Sequence, residues 1–335
     1  MIFTDVIRSF RPNELKNPGR IMAQGQRGGS GDYGNNCTAH IKEHPMAGGT
    51  TPAAPAGGPP TPNTMPLSRQ PTPAAPSPQL TAPSAAPASL AFVSQDRLAP
   101  YMHAANNDQG WAWDLYVWNR DLSVAFLADI AILEVALRNA LSDQLTAVFG
   151  TTWYATEMGI DFRCQSALAK AWRDLPAHRQ KPGWLVSQLM FGFWTGLLDA
   201  GGYVGKEPQR FKVNHEGLWR KGLSNAFPGG KVEAAATKSQ FTRATTHKTV
   251  NIVNAVRNRA AHHEPFLSGF PLPGQRTQRG TQPIRLTALD GHNECMKLAR
   301  LLDRNLARWI TGNTQVPKLL ATRPTAPSPT TTSNP

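Results

Sequence analysis

The chain has 335 residues, enough for two domains, but 29 prolines and 28 glycines are concentrated so as to shrink the part able to fold. Three widely separated cysteines, Cys37, Cys164 and Cys295, with no CxxC, exclude a disulfide framework and fit a reducing cytoplasm. A net charge of +13 points to an anionic partner, and the most apolar run, 122–137, is broken by Asp129 and Glu134 and is too short to span a bilayer.

Residues 1–90 carry GGTTPAAPAGGPPTP and PTPAAPSPQLTAPSAAPAS, where Pro, Ala, Ser and Thr replace nearly every large apolar residue. Such a segment buries too little surface to offset its ordering entropy, so it reads as a disordered tail. It also reads as an overextended start, with Met46 or Met65 as the true first residue. The opening MIFTDVIRSFRPNELK lacks the apolar core of a signal peptide. Cys37, His40 and His44 are one ligand short of a structural zinc site, and the glycines of 27–34 have neither the preceding strand nor the GK[ST] of a phosphate loop. No metal or cofactor is expected.

Order begins near Ser94, which caps a short helix. A helical region follows from about Asp108 to Val148, with a kink expected near Asn119. Leu122, Phe126, Ile130, Leu133, Leu137, Leu141 and Leu145 line one face, while Ile132 and Val135 lie on another, so this helix packs on more than one side. Glu134 and Arg138 form an i,i+4 pair at the margin of the stripe. Either Glu134 orients Arg138 or Asn139 toward a site, or the pair is a partly buried structural one. Gly150 breaks the helix, and a short one follows from Phe162 to Leu175. The stretch 182–198 places aromatics at helical spacing with no basic residue interleaved from Trp184 to Leu198, which favours core packing over base stacking.

Charge is uneven along the chain. Residues 91–204 hold 8 Lys/Arg against 11 Asp/Glu, net −3, whereas 205–285 hold 14 against 4, net +10. Lys206, Arg210, Lys212, Arg220, Lys221, Lys231 and Arg259 are the candidate phosphate contacts, against the alternative of a basic solvated face. Within this region Ile252, Val253, Val256 and Ala260 recur at helical spacing and Pro265 ends the helix. Asn258 and His262 fall on one polar face as an i,i+4 pair, and His263 falls back onto the apolar stripe as a packing residue. Arg257 lies about 140° and ~7.5 Å of rise from His262, so a second copy or the reach of the arginine must close the gap. After the polar insertion GQRTQRGTQPIRL, expected to be mobile, a final helix from about Gly291 to Trp309 returns Leu298, Leu301, Leu302, Leu306 and Trp309 to the bundle, and 313–335 reads as a second disordered tail.

The spacing Arg257-Asn258-x3-His262 resembles the R-x4-6-H signature of the HEPN ribonuclease superfamily, and VRNRAAHHEP resembles the LRN-x3-AHHEP string of the Abi-like (AbiD/AbiF) abortive-infection proteins. Glu134-x3-Arg138-Asn139, the FGFW of 191–194, Leu218-Trp219 and Ala226-Phe-Pro228 are similar to further signatures of that family, in the same order. The resemblance covers about residues 94–310 and implies an all-α, HEPN-like helical bundle with additional helices over 91–312, with Glu134, Arg138 and Asn139 beside the Arg257–His262 helix. It further implies a homodimeric, metal-independent endoribonuclease of the toxin or anti-phage type, leaving 2′,3′-cyclic phosphate ends, with Arg257 and His262 as the catalytic pair and an antitoxin, protein or RNA, as a partner. Glu264 stands where some HEPN proteins carry a modified tyrosine, a departure that argues against a nucleotidyltransferase partner.

The residue types suit that chemistry. RNA carries its own nucleophile, the 2′-hydroxyl, and needs a base for that proton and an acid for the leaving 5′-oxygen. Imidazole titrates near working pH, and a helix C-terminus casts His262 as the proton donor. The guanidinium of Arg257 can hold the phosphorane bidentately, with Asn258 fixing the ring or the phosphate. The alternatives are a non-catalytic RNA-binding protein using the same basic face, or a helical protein-interaction module tethered by its Pro/Ala-rich tail.

Overall fold

A computed structural model describes residues 92–275 and 281–327. The zinc-like Cys37, His40 and His44, the glycine cluster, the alternative starts and the tail expected over 1–90 lie outside the described residues, apart from the boundary itself; so do 276–280 of the insertion and 328–335.

In chain order the helices are α1 (Gln95–Ala104), α2 (Gln109–Phe149), α3 (Phe162–Asp174), α4 (Pro182–Gln188), α5 (Phe191–Leu198), α6 (Glu216–Lys221), α7 (Gly230–Ala236), α8 (Arg243–Ala261), α9 (Ala288–Leu302), α10 (Arg304–Asn313) and α11 (Val316–Ala321). Two antiparallel pairs of two-residue strands, β1 (Tyr203–Val204) with β2 (Phe211–Lys212) and β3 (Phe270–Pro271) with β4 (Arg285–Leu286), are the only sheet among the described residues. The protein is an all-helical bundle with accessory helices.

The axis of the bundle is α2, 41 residues and therefore ~60 Å long. Asp108 starts it by accepting from the Trp111 amide at 2.7 Å, and Gly150, at φ +85°, ends it. Leu122, Phe126, Ile130, Leu133, Leu137, Leu141 and Leu145 are all buried, as their spacing predicts. Each is worth about 1.5–3 kcal/mol of apolar transfer, so the stripe fixes which way the helix faces. The helix runs unbroken through Asn119. Its side chain is buried, and its Oδ1 accepts the Phe266 amide at 2.7 Å, tying the segment after α8 to the middle of α2. Ile132 and Val135, expected to pack on a second side, remain 36% and 42% exposed.

Against α2 lie α8 and α9, which also pack on each other, and α5 covers another side of α8. The stretch 182–198 forms two helices, parted at Leu189–Met190, and its aromatics enter the core: Phe191, Phe193 and Trp194 are buried. The expected single helix over 291–309 is also two. Asp303 leaves helical geometry (φ −158°, ψ 130°), stops α9 and caps α10 by accepting from the Asn305 amide at 2.5 Å. That break turns Trp309 outward, 53% exposed, against the expectation that it packs in the bundle.

The order expected to end at residue 312 continues. Thr314 Oγ1 donates to Asp129 Oδ2 (2.5 Å), Trp118 Nε1 donates to the Leu319 carbonyl (2.7 Å), and Val316 is fully buried, so α11 is clasped onto α2. Among the described residues, no helix is long and apolar enough to cross a membrane.

Candidate functional site

Helix α8 begins with a capping box in which Thr242 Oγ1 accepts from the Thr245 amide (3.2 Å) and Thr245 Oγ1 from the Thr242 amide (3.0 Å). Val250, Val253, Val256 and Ala260 face the core without exposure. On another side Asn254, Arg257 and Asn258, at i, i+3 and i+4, are half-buried and open onto a cavity of about 410 Å³. Its apolar wall comes from Ala167 and Ala171 of α3 and from Leu189, Phe191 and Phe193 at the α4–α5 junction. Arg257 Nη1 donates to Asn258 Oδ1 at 3.3 Å, and no carboxylate pairs with the guanidinium among the described residues.

His262 is not on a helical turn. It is the C-cap of α8, at φ −89°, ψ 6°. His263 follows in the left-handed region, φ 56°, donating its amide to the Ala260 carbonyl (3.1 Å), while the Glu264 amide reaches the Arg259 carbonyl (2.9 Å). This pairing satisfies the last carbonyls of the helix in the Schellman manner. Because the chain reverses there, His263 is exposed and not packed on the apolar stripe, which corrects the helical extrapolation. His262 is exposed too, makes no side-chain hydrogen bond with Asn258 among the described residues, and does not line the Arg257 cavity. Arg97 of α1, which the sequence did not single out, donates from Nη1 to the carbonyls of His262 (3.3 Å) and His263 (3.1 Å).

Arg259, expected on the RNA face, is instead part of this turn. Its Nε and Nη2 donate to the Pro265 carbonyl at 2.9 and 2.8 Å, its Nη1 pairs with Glu264 at 3.3 Å, and its side chain is 13% exposed. Burial lowers its pKa, opposed by Glu264. A guanidinium so occupied is a structural clamp and not a phosphate contact.

Helix α2 does run beside α8, but Arg138 and Asn139 open onto a different cavity, of about 260 Å³, bounded by Ser142, Asp143, Thr146, Trp153 and the α4 residues Pro182–Ser187. No ion pair joins Glu134 to Arg138 among the described residues, and Arg138 Nε is buried without a partner. The expected i,i+4 pair is therefore absent.

Of the remaining cations, Lys206, Arg210 and Lys212 sit on or between strands β1 and β2. Arg210 stacks 3.9 Å above the Tyr203 ring and lies 3.6 Å from Glu207, whereas Lys206 and Lys212 are exposed and make no ion pair among the described residues. On α6, Arg220 lies 3.5 Å from Glu216, and Lys221 is 5.9 Å from the Phe149 ring.

One polar knot escaped the sequence reading. Asp161 caps α3 by accepting from the Cys164 amide (3.0 Å), and Arg163 Nη2 spans Asp161 and Asp199 at 2.5 Å each. Buried His215 accepts the Asp161 amide at Nε2 (3.2 Å) and donates from Nδ1 to the Gly196 carbonyl (3.0 Å), with Asp199 Oδ1 at 3.3 Å. Burial works to raise the Asp199 pKa, but bonds from His215, the Gly201 amide and Arg163 outweigh it and hold the carboxyl well below the usual range. Asp161, Asp199 and His215 offer atoms within 4.8 Å of one another, as a metal site would. The donor set does not fit one: both His215 nitrogens are engaged, and the guanidinium already supplies the cation between the carboxylates. Residues 38 and 54 positions apart form this knot, so no spacing in the chain announces it.

Comparison with models of known families, with curated proteins and with solved structures found no match.

Proposed function

We propose that the chain is an endoribonuclease of the Abi-like, HEPN type, acting on RNA without a metal as a growth-arrest or anti-phage effector. The observation that carries this reading is a single helix, α8, bearing on a cavity a half-buried arginine that pairs with no carboxylate among the described residues, and an exposed histidine at its tip. In the reaction the 2′-hydroxyl attacks the adjacent phosphorus, a base takes its proton, and His262 protonates the departing 5′-oxygen, leaving a 2′,3′-cyclic phosphate. Arg257 neutralises the phosphorane oxygens as charge builds on them. Since His262 does not line the cavity that holds Arg257, the reading includes a homodimer in which the two groups meet from different copies. Lys206 and Lys212 supply sequence-independent phosphate contacts, and activity in the cell would be restrained by an antitoxin, protein or RNA.

The test is cleavage of total RNA, tRNA and ribosomal RNA by the purified protein in EDTA, with product ends mapped. His262→Ala and Arg257→Ala should each lower the rate by about 10²–10⁴-fold while circular dichroism stays unchanged. Unaltered cleavage in both variants overturns the assignment, and light scattering checks the dimer. The separation of His262 from the cavity also favours a second reading, RNA binding without turnover. It predicts salt-sensitive retention of intact RNA.

A further inference from the structure

The cavity beside Arg257 has properties that general phosphate binding does not require. Its volume of about 410 Å³ falls within the ~300–1,000 Å³ range of small-molecule pockets. One side is apolar, with Phe191 and Phe193 behind it and the Lys170–Asp174 ion pair on α3 beside it, and the other presents Asn254, Arg257 and Asn258. Within it, the side-chain amides of Asn254 and Gln188 make no hydrogen bond among the described residues, and the Asn258 amide nitrogen is likewise unused. Asn and Gln amides pair with the donor and acceptor edges of bases, and proteins that read RNA sequence usually do so on unstacked, single-stranded bases. The half-buried Arg257 guanidinium makes no ion pair among the described residues, since Asp174, the carboxylate that lines the same cavity, is paired with Lys170, and an anionic ligand there would give it a partner.

We infer that this cavity is a nucleotide pocket: one unstacked base lies against the apolar wall and is read by Asn254 and Gln188, while its phosphate meets Arg257. Its placement next to the bond that is cut rests on the ribonuclease reading; its ability to take a nucleotide does not. On that reading the substrate is single-stranded RNA, and cleavage carries a base preference at the nucleotide held there.

The experiment titrates the purified full-length chain with AMP, GMP, CMP, UMP and inorganic phosphate by calorimetry, beside cleavage of oligoribonucleotides varied at each position. One nucleotide should bind at least about tenfold more tightly than phosphate, a single good hydrogen-bonding contact's worth. Asn254→Ala should weaken that nucleotide and flatten the base preference without changing phosphate binding. Ala167→Phe, which narrows the cavity from the α3 side, should block it, and Asn254→Ala serves alone if that variant does not fold. Four nucleotides binding no better than phosphate, or binding untouched by Asn254→Ala, overturns the pocket even if RNA is cut. Base-selective binding that Asn254→Ala weakens, with no cleavage, upholds the pocket and overturns the nuclease.

Discussion

Arg97 Nη1 lies 3.3 Å from the carbonyl oxygen of His262, so a residue of the first helix holds the tip of the eighth across 165 positions of chain. The same guanidinium nitrogen reaches the His263 carbonyl, so it occupies the C-cap carbonyl that the end of α8 leaves open and the one that follows it. Arg97→Ala should therefore cost about 1 kcal/mol or less in global stability and lower RNA cleavage more than that loss explains. Amide hydrogen exchange at Glu264, rising in the variant against an unchanged α2, is the direct check.

Asn119 is the only polar side chain that answers the Phe266 amide among the described residues, and both are buried. Replacing it with leucine strands a buried N–H, at a cost of about 1–3 kcal/mol. Chemical denaturation should show a lower midpoint with an unchanged slope, because the same surface is exposed on unfolding.

Arg259 and the hairpin lysines should separate cleanly in mutagenesis. Arg259→Ala removes the Pro265 carbonyl bonds and the Glu264 pair and should reduce the melting temperature, since it unmakes the turn that carries both histidines. Lys206→Ala with Lys212→Ala should leave melting unchanged and make RNA affinity less sensitive to salt, the log–log slope shrinking by roughly one unit for each phosphate that a lysine no longer neutralises. Filter binding across a salt series distinguishes them.

Acid should loosen this fold. Glu233 has its pKa lowered by its bonds to Arg300, with burial opposing, and Asp199 is lowered as described. A carboxyl depressed in the folded state adds stability above its unfolded value near 4, and that stability drains away as pH falls through the folded value. Asp129, raised by burial against its bond to Thr314, acts in the opposite sense. His247 and His292, whose pKa burial lowers, bind protons more readily when unfolded. Unfolding free energy should therefore begin to decline below about pH 6.5 and fall further below about pH 4 as the depressed carboxyls are protonated. Asp199→Asn should be less stable at pH 7 by about 1.5–3 kcal/mol and lose less on acidification; an unchanged acid profile would sink the assignment.

Periodicity was enough to find α2 and α8, because each buries a long unbroken stripe against the other and the pattern is written in consecutive turns. It could not show the break at Asp303, where leucines continue on both sides in helical spacing while the backbone opens. The outward swing of His263 was hidden for a related reason: a left-handed residue after a helix is usually glycine, and histidine gives no such signal. Pro265 announced that α8 must stop but not the reversal two residues earlier, at His263. The cavity by Arg257 and the Asp161–Asp199–His215 knot are assembled from distant segments, and only the packed chain brings them together.

The left-handed backbone at His263 has a consequence for the fold's own economy. Glycine would sit in that conformation with less strain, by about 1 kcal/mol, so His263→Gly ought to make the molecule harder to melt. If the proposed cleavage is real, a His263→Gly variant that resists heat better yet cuts RNA more slowly would show that the imidazole beside His262 serves the site and not the fold.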